Sequence, residues 1–112
     1  MARVPYLDLD DLAPEDHDLL KRPMTLYRAL SNSPGGCRAF LVLADYIRWQ
    51  SPLDGRLREL AILQVGWMTR SPYEWAHHVK IGYDFGVSDA DIEGLIAESE
   101  GRESDLDPLA RL

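Results

Sequence analysis

The chain has 112 residues, which is the size of a single domain with one small hydrophobic core. Its 19 acidic and 12 basic residues give a net charge of −7, which argues against binding to nucleic acid or anionic membranes because both require a basic patch. The single cysteine, Cys37, excludes an intrachain disulfide, a C-x-x-C redox pair and a multi-cysteine zinc site.

Neither a membrane span nor a signal peptide is apparent in the sequence. The longest apolar run, residues 60–68, is too short to cross a bilayer and contains Gln64. Acidic residues stand near the N-terminus, where a signal peptide would be apolar. We therefore expect a cytoplasmic protein that has no membrane or nucleic-acid partner.

Helical periodicity dominates the chain, and no strand pattern competes with it. Residues 15–22 fit a turn or two of helix before Pro23. A second short helix is indicated over residues 24–30 by apolar residues three apart. The sequence therefore predicts an all-α fold.

A longer amphipathic helix is predicted over residues 34–49, with Ser33 as N-cap and Pro34 as its first residue. We expect Cys37 to be a packed thiol on its apolar face, because no neighbour in the sequence would stabilise a thiolate. The apolar stripe of this helix comprises Cys37, Phe40, Leu41, Ala44 and Ile47.

A third helix is predicted over residues 53–68. Its later turns, residues 60–68, are apolar almost all round, which is typical of a central helix covered on most sides by other helices or by another subunit. Glu59 lies directly before this segment, so its carboxylate is expected to point along a face that is otherwise apolar.

The next helix is predicted over residues 72–85. Ser71 and Glu74 form a capping-box pattern with proline at the first helical position, and Gly86 is expected to be a left-handed residue that ends the helix. The last clear helix begins at Ser88 and carries a small apolar stripe.

Beyond this helix the chain is polar and acidic, and residues 99–107 are predicted to be a linker. Asp107 and Pro108 then have the form of another helix start, followed by Leu109 and Leu112. One turn of helix does not hold itself together, so the end frays, docks on a partner, or belongs to a shortened version of a longer protein.

Three titratable side chains are predicted to meet between the two central helices. His78 lies one turn after Glu74 and shares an inward face with Phe85. Glu59 comes from the preceding helix, which a short turn makes antiparallel. An apolar cleft near a helix N-terminus can move pKa values towards neutrality, and this suits proton transfer.

Structural explanations compete with this one. Glu74 can be explained as a capping residue alone, and His78 as a buried histidine that hydrogen-bonds one of the carboxylates. Glu59 can pair with Arg56 or Arg58 at a helix end, or with a neighbouring subunit.

A metal site is a further alternative. Glu74 and His77 form an E-x-x-H element, which is half of the pattern of di-iron bundles, but the chain has one such element. A mononuclear site would use Glu59, Glu74 and His78.

Two blocks of the sequence stand out together. The run at residues 53–63 reads LDGRLRELAIL, and the run at residues 73–78 reads YEWAHH and is followed by GVS at residues 86–88. They resemble the L-x-x-R-x-R-E-L-A-I-L and Y-E-W-x-x-H … G-[LV]-S blocks of the carboxymuconolactone decarboxylase family, within the alkylhydroperoxidase D-like superfamily.

The resemblance implies an alkylhydroperoxidase D-like all-α domain built round a central helical hairpin, with assembly into homo-oligomers, trimers or hexamers. On this basis we divide the chain into three parts. Residues 1–22 form an irregular or short helical N-terminal segment, residues 23–99 form the family domain, and residues 100–112 form an acidic linker and the start of a further helix.

In the peroxidase branch of this family, a glutamate, a C-x-x-C pair and a histidine form the site. By spacing, Glu59 matches the glutamate and His78 the histidine, whereas the two cysteine positions hold Ser71 and Glu74. Without these thiols a disulfide-cycling peroxidase has neither nucleophile nor resolving group, so antioxidant activity is the disfavoured alternative.

The branch without the cysteine pair is implied instead, and it works without metal or organic cofactor. Its reaction removes CO₂ from an unsaturated lactone acid and protonates the resulting enolate. We therefore predict a carboxy-lyase-like protein for a small carboxylate or lactone, with Glu59, Glu74 and His78 as catalytic residues. Substrate contacts are expected from Arg56, Arg58 and Tyr73. A non-catalytic oligomeric binding protein is the remaining alternative.

Overall fold

A computed structural model describes residues 3–111 of the chain. These residues form helices and no strand, as predicted, and none of their helices is long and apolar enough to cross a membrane. The chain divides into two compact units, one ending at Ser51 and the other beginning at Pro52. The division at residues 22 and 99 remains a prediction, and Leu112, which follows the predicted helix start at Asp107 and Pro108, lies outside the described residues.

The first unit consists of short helices followed by one longer helix. Helix α1 spans Thr25–Leu30 and α2 spans Pro34–Asp45, and a π-helical turn, Tyr46–Gln50, continues α2. The helix predicted at residues 34–49 is therefore confirmed, although its last turn is π-helical. The segment predicted as a turn or two of helix before Pro23 is the 3₁₀-helix Pro14–Leu20.

The apolar stripe of α2 is buried at one position only within the chain. Cys37 is fully buried, as predicted, whereas Phe40 and Ile47 are 38% and 40% exposed. Arg38, next to the cysteine, forms ion pairs with Asp16 and Asp18 and so ties α2 to the preceding 3₁₀-helix.

The second unit is built round a helical hairpin. Helix α3 spans Gly55–Met68, α4 spans Pro72–Asp84 and α5 spans Asp89–Ser99. The turn between α3 and α4 is so short that the two helices run antiparallel and pack along their length. Each of these helices was predicted from the sequence to within about two residues at its ends, which is the normal uncertainty of such boundaries.

Residues from all parts of the second unit contribute to its core. The buried apolar cluster comprises Leu60, Leu63, Val87, Leu95, Leu106 and Ala110. The opposite face of α3 is exposed, since Val65 and Met68 both have more than half of their surface accessible. The prediction that α3 is covered on most sides therefore holds, within this chain, for one face only.

Two predicted helix signals are seen directly. Gly86 has a φ of +87°, the left-handed backbone conformation that ends α4 and that residues other than glycine rarely adopt. Ser88 then accepts a hydrogen bond from the amide of Asp91, whose carboxylate accepts one from the amide of Ser88, so a reciprocal capping box starts α5.

Residues 102–107, the last part of the predicted linker at residues 99–107, are irregular, but one of them is buried. Leu106 is only 5% exposed and packs against Gly94 of α5, where an added Cβ would lie 3.2 Å from the leucine Cβ. A 3₁₀-helix, Pro108–Ala110, follows Asp107, whose side chain caps it, and Ala110 joins the core. Leu106 and Ala110 thus pack this tail against the core of its own unit.

We expect Leu106→Ala to lower the free energy of unfolding by about 2–4 kcal/mol, because it leaves a cavity in the core. Leu109→Ala is the matched control, since Leu109 is 78% exposed and its truncation should cost less than about 0.5 kcal/mol. Urea unfolding followed by circular dichroism measures both. Equal costs for the two variants would show that the tail does not pack as described.

Candidate functional site

Glu59 is the most unusual residue of the second unit, because its carboxylate is buried. The residue is 2% exposed and lies one turn into α3, between the capped start of the helix and its apolar turns. Asp54 caps α3 by accepting a hydrogen bond from the amide of Leu57. A buried carboxylate requires partners for both oxygens, and α3 and α4 supply them.

His78 of α4 binds one oxygen of this carboxylate. Its Nδ1 lies 2.7 Å from Glu59 Oε2, and the imidazole is mostly buried. A carboxylate can only accept, so Nδ1 is the donor and the proton on the ring is fixed at this nitrogen. Nε2 therefore carries the lone pair when the imidazole is neutral and a second proton when it is charged.

Glu74 stands on the other side of the imidazole, one helical turn before His78. Its Oε2 is 3.6 Å from His78 Nε2, and its side chain is partly exposed. The structure thus brings together all three residues that the sequence placed in one cluster. The predicted capping box at this helix is wrong, because Ser71 makes no side-chain cap and Glu74 points to the histidine instead.

The second oxygen of Glu59 is bound by Arg58, its neighbour in the sequence. Arg58 Nε donates to Glu59 Oε1 over 3.0 Å, and both residues are buried. The alternative in which Glu59 pairs with Arg58 is therefore realised together with the histidine contact. The carboxylate is held from two sides, by the guanidinium of Arg58 and by the imidazole of His78.

This arrangement determines the protonation state of Glu59. Burial raises the pKa of its carboxyl, but the hydrogen bonds from His78 and Arg58 oppose this and prevail, so the pKa lies below the ordinary value. Glu59 is consequently an anion at neutral pH. The expectation of a pKa moved towards neutrality is not met at this residue.

Two residues predicted to contact substrate have other partners. Arg56 forms a two-pronged ion pair with Asp91 at the start of α5, with its Nε 3.0 Å from Oδ2. Tyr73 is partly exposed and its ring stacks on that of His77, with 5.9 Å between centroids. Neither makes a described contact with Glu59.

The residues of the E-x-x-H element do not converge. Glu74 faces His78, whereas His77 stacks on Tyr73, and the two imidazoles meet edge to face. Within residues 3–111, no group of three or more histidine, cysteine, aspartate or glutamate side chains is arranged to hold a metal ion. The glutamate and the histidine of the E-x-x-H element therefore do not face a common point.

A cavity of about 640 Å³ opens at the hairpin turn. Its walls include Trp67 and Trp75, whose rings lie 5.1 Å apart, together with Arg70 and the start of α4. None of the three clustered acid–base residues lines it. This cavity is therefore not the apolar cleft that was expected round the three acid–base residues.

Comparison with family models gives one match, to the carboxymuconolactone decarboxylase family, over residues 34–101. The chain belongs to the carboxymuconolactone decarboxylase family. Comparison with curated proteins finds no match, and comparison with solved structures finds none either. The family region contains α2 and the whole of the hairpin, so it includes Glu59, Glu74 and His78.

This member of the carboxymuconolactone decarboxylase family has no thiol in the hairpin. Ser71 and Glu74 occupy the two positions that the resemblance assigns to the cysteine pair. The one cysteine, Cys37, is fully buried in α2. Thiol chemistry at this histidine therefore has no nucleophile within the second unit.

One residue of the site was not recognised from the sequence. Phe85, at the end of α4, places its ring over the guanidinium of Arg58, with 4.3 Å between Arg58 Cζ and the ring centroid. The only signal for it was its position on the same helical face as His78, two turns later. That spacing shows where Phe85 points, but it does not show that an arginine meets it there.

We expect Glu59→Gln to destabilise the protein by about 3 kcal/mol at pH 7, because it removes the negative charge that faces the buried guanidinium of Arg58. The folded-state pKa of Glu59 is lowered, so its stabilising contribution is complete above the ordinary value of 4.5 and is lost as the pH falls through the folded-state value. The difference from wild type should therefore shrink at acidic pH.

Urea unfolding at pH 7 and at progressively lower pH measures this difference. Glu93→Gln is the matched control, because Glu93 is exposed on α5 and its replacement should change stability little at either pH. A Glu59→Gln penalty that is the same at acidic and neutral pH would contradict the ionised state assigned to Glu59.

Proposed function

We propose that this protein is a carboxy-lyase-like enzyme that removes CO₂ from a small lactone acid or related carboxylate by proton transfer at His78. The observation that supports this most directly is the 2.7 Å contact between His78 Nδ1 and the buried, ionised carboxylate of Glu59. Such a pair fixes the ring and its tautomer and leaves Nε2 as the one atom that exchanges protons.

The proposed reaction needs one proton at carbon and no redox partner. The bond between the carbon and its carboxylate breaks, CO₂ leaves, and the electron pair stays on that carbon as an enolate conjugated with the lactone carbonyl. The imidazolium of His78 then transfers its Nε2 proton to the carbon, which forms a new C–H bond.

Glu59 and Glu74 have different roles in this proposal. Glu59 stays ionised, orients the ring and stabilises the imidazolium, because it is buried and paired on both oxygens. Glu74 is partly exposed and lies 3.6 Å from Nε2, so it is placed to return a proton from solvent to the histidine after turnover. Contacts between the substrate and Arg56, Arg58 or Tyr73 remain predictions.

We expect His78→Gln to lower kcat by about 100-fold or more, because a positioned general acid usually accelerates a reaction by at least that factor. His77→Gln is the matched control, since it removes the adjacent histidine on the face that stacks on Tyr73, and it should keep the rate within about twofold of wild type. Release of CO₂ from 4-carboxymuconolactone and related lactone acids measures the rate. Deuterium incorporation at the product carbon in D₂O reports the protonation step.

Three outcomes would contradict the proposal. Full activity of His78→Gln would remove the histidine from the mechanism, and no CO₂ release from any lactone acid by wild-type protein would remove the reaction. A stoichiometric metal in the active purified protein, with activity lost on its removal, would show that another chemistry operates.

A further inference from the structure

The contact between Arg58 and Glu59 is not one that a helix provides by itself. Consecutive residues of an α-helix point about 100° apart, and side chains at i and i+1 do not face each other. The arginine must therefore bend round the helix to place its Nε 3.0 Å from Glu59 Oε1. A long, flexible side chain needs a further contact to stay in such a bend.

Phe85 provides that contact from the other helix of the hairpin. The guanidinium carbon of Arg58 lies 4.3 Å from the centre of the phenyl ring, within the range of a cation–π interaction. Arg58 is 5% exposed, so water does not weaken the attraction as it would at the surface. The ring and the carboxylate thus act on the same guanidinium.

The position of the ring is itself determined by the first residue of α3. A Cβ on Gly55 would lie 2.6 Å from Phe85 Cδ1, closer than such atoms approach one another. The absence of a side chain at position 55 therefore creates the space that the ring occupies. Gly55 and Arg58 are three residues apart and share a helical face, so one ring covers both.

We propose that Phe85 is a positioning residue of this site, holding Arg58 against Glu59 so that Glu59 keeps His78 in its reactive orientation. The series of contacts runs from the Gly55 backbone through the phenyl ring, the guanidinium and the carboxylate to the imidazole. Phe85 makes no described contact with the histidine, so its effect passes through Arg58. The inference deepens the proposed function, and its kinetic consequence depends on that function.

The test uses the full chain and a signal that requires no turnover. The Nδ1 proton of His78, shared with a carboxylate at 2.7 Å, should give a far-downfield proton NMR resonance, which is assigned by its loss in His78→Gln. We expect Phe85→Leu, which keeps apolar bulk but removes the aromatic face, to shift or broaden this resonance. Phe85→Tyr keeps that face and should preserve the signal.

Two further variants separate positioning from general stability. Gly55→Ala should displace the ring and disturb the resonance without changing any of the charged residues, and it decides the matter if Phe85→Leu does not fold. Leu106→Ala lowers stability without changing any residue in the series of contacts from Gly55 to His78, and it should leave the resonance in place. Where lactone-acid turnover is measurable, kcat of Phe85→Leu should fall on the order of 10-fold with little change in KM.

The inference is overturned if folded Phe85→Leu or Gly55→Ala keeps the wild-type resonance, or if Leu106→Ala disturbs it equally. A double-mutant cycle adds a second condition. In the Arg58→Met background, Phe85→Leu should have no additional effect on the resonance, and additive effects would show that the ring does not act through Arg58. Wild-type protein without lyase activity would refute the proposed function, while the NMR comparison would still decide the role of Phe85.

Discussion

The second unit of this protein depends on how it accommodates one buried negative charge. A carboxylate that is 2% exposed is strongly disfavoured unless its oxygens are paired, and Glu59 has His78 on one oxygen and Arg58 on the other. This requirement constrains both helices of the hairpin at once. A shift of α4 along α3 would break the histidine contact and leave the charge unpaired, so the register of the hairpin and the geometry of the site are one constraint.

The same pairing explains why a histidine, and not a carboxylic acid, is the group suited to proton exchange here. Burial alone would raise the pKa of Glu59 and make it the acid of the site. The hydrogen bonds from His78 and Arg58 reverse that direction, so the carboxylate stays charged and the imidazole becomes the group whose free nitrogen faces the more exposed side. The chemistry available to the site therefore follows from a structural need for charge compensation.

Much of this architecture was accessible from the sequence because it follows from helical period. The spacing of Glu74 and His78, together with a short turn after α3, was sufficient to predict that three titratable groups come together.

Helical period shows which face a side chain lies on, but it does not show which partner a long side chain binds there. The Ser71–Glu74 pattern fits a capping box, yet Glu74 has a histidine one turn away as a competing partner and takes it. The contact of Arg58 with Phe85 depends on packing between helices, and no local pattern reports it. Leu106 was missed for a different reason. The residues round it are polar, and a polar segment predicts a linker and not a buried side chain.

Membership of the carboxymuconolactone decarboxylase family and the particular chemistry of this chain are therefore separate questions, answered by different residues. The family match covers the hairpin as a whole, and in this chain the hairpin brings Glu59 and His78 together. In the proposed function, the residues beside this pair decide which reaction the histidine serves. Ser71 and Glu74 offer no thiol, and Glu74 adds a carboxylate 3.6 Å from the free nitrogen of His78. A carboxylate at this distance can exchange a proton between Nε2 and solvent. The proposed function therefore rests on Ser71 and Glu74 and not on the fold alone.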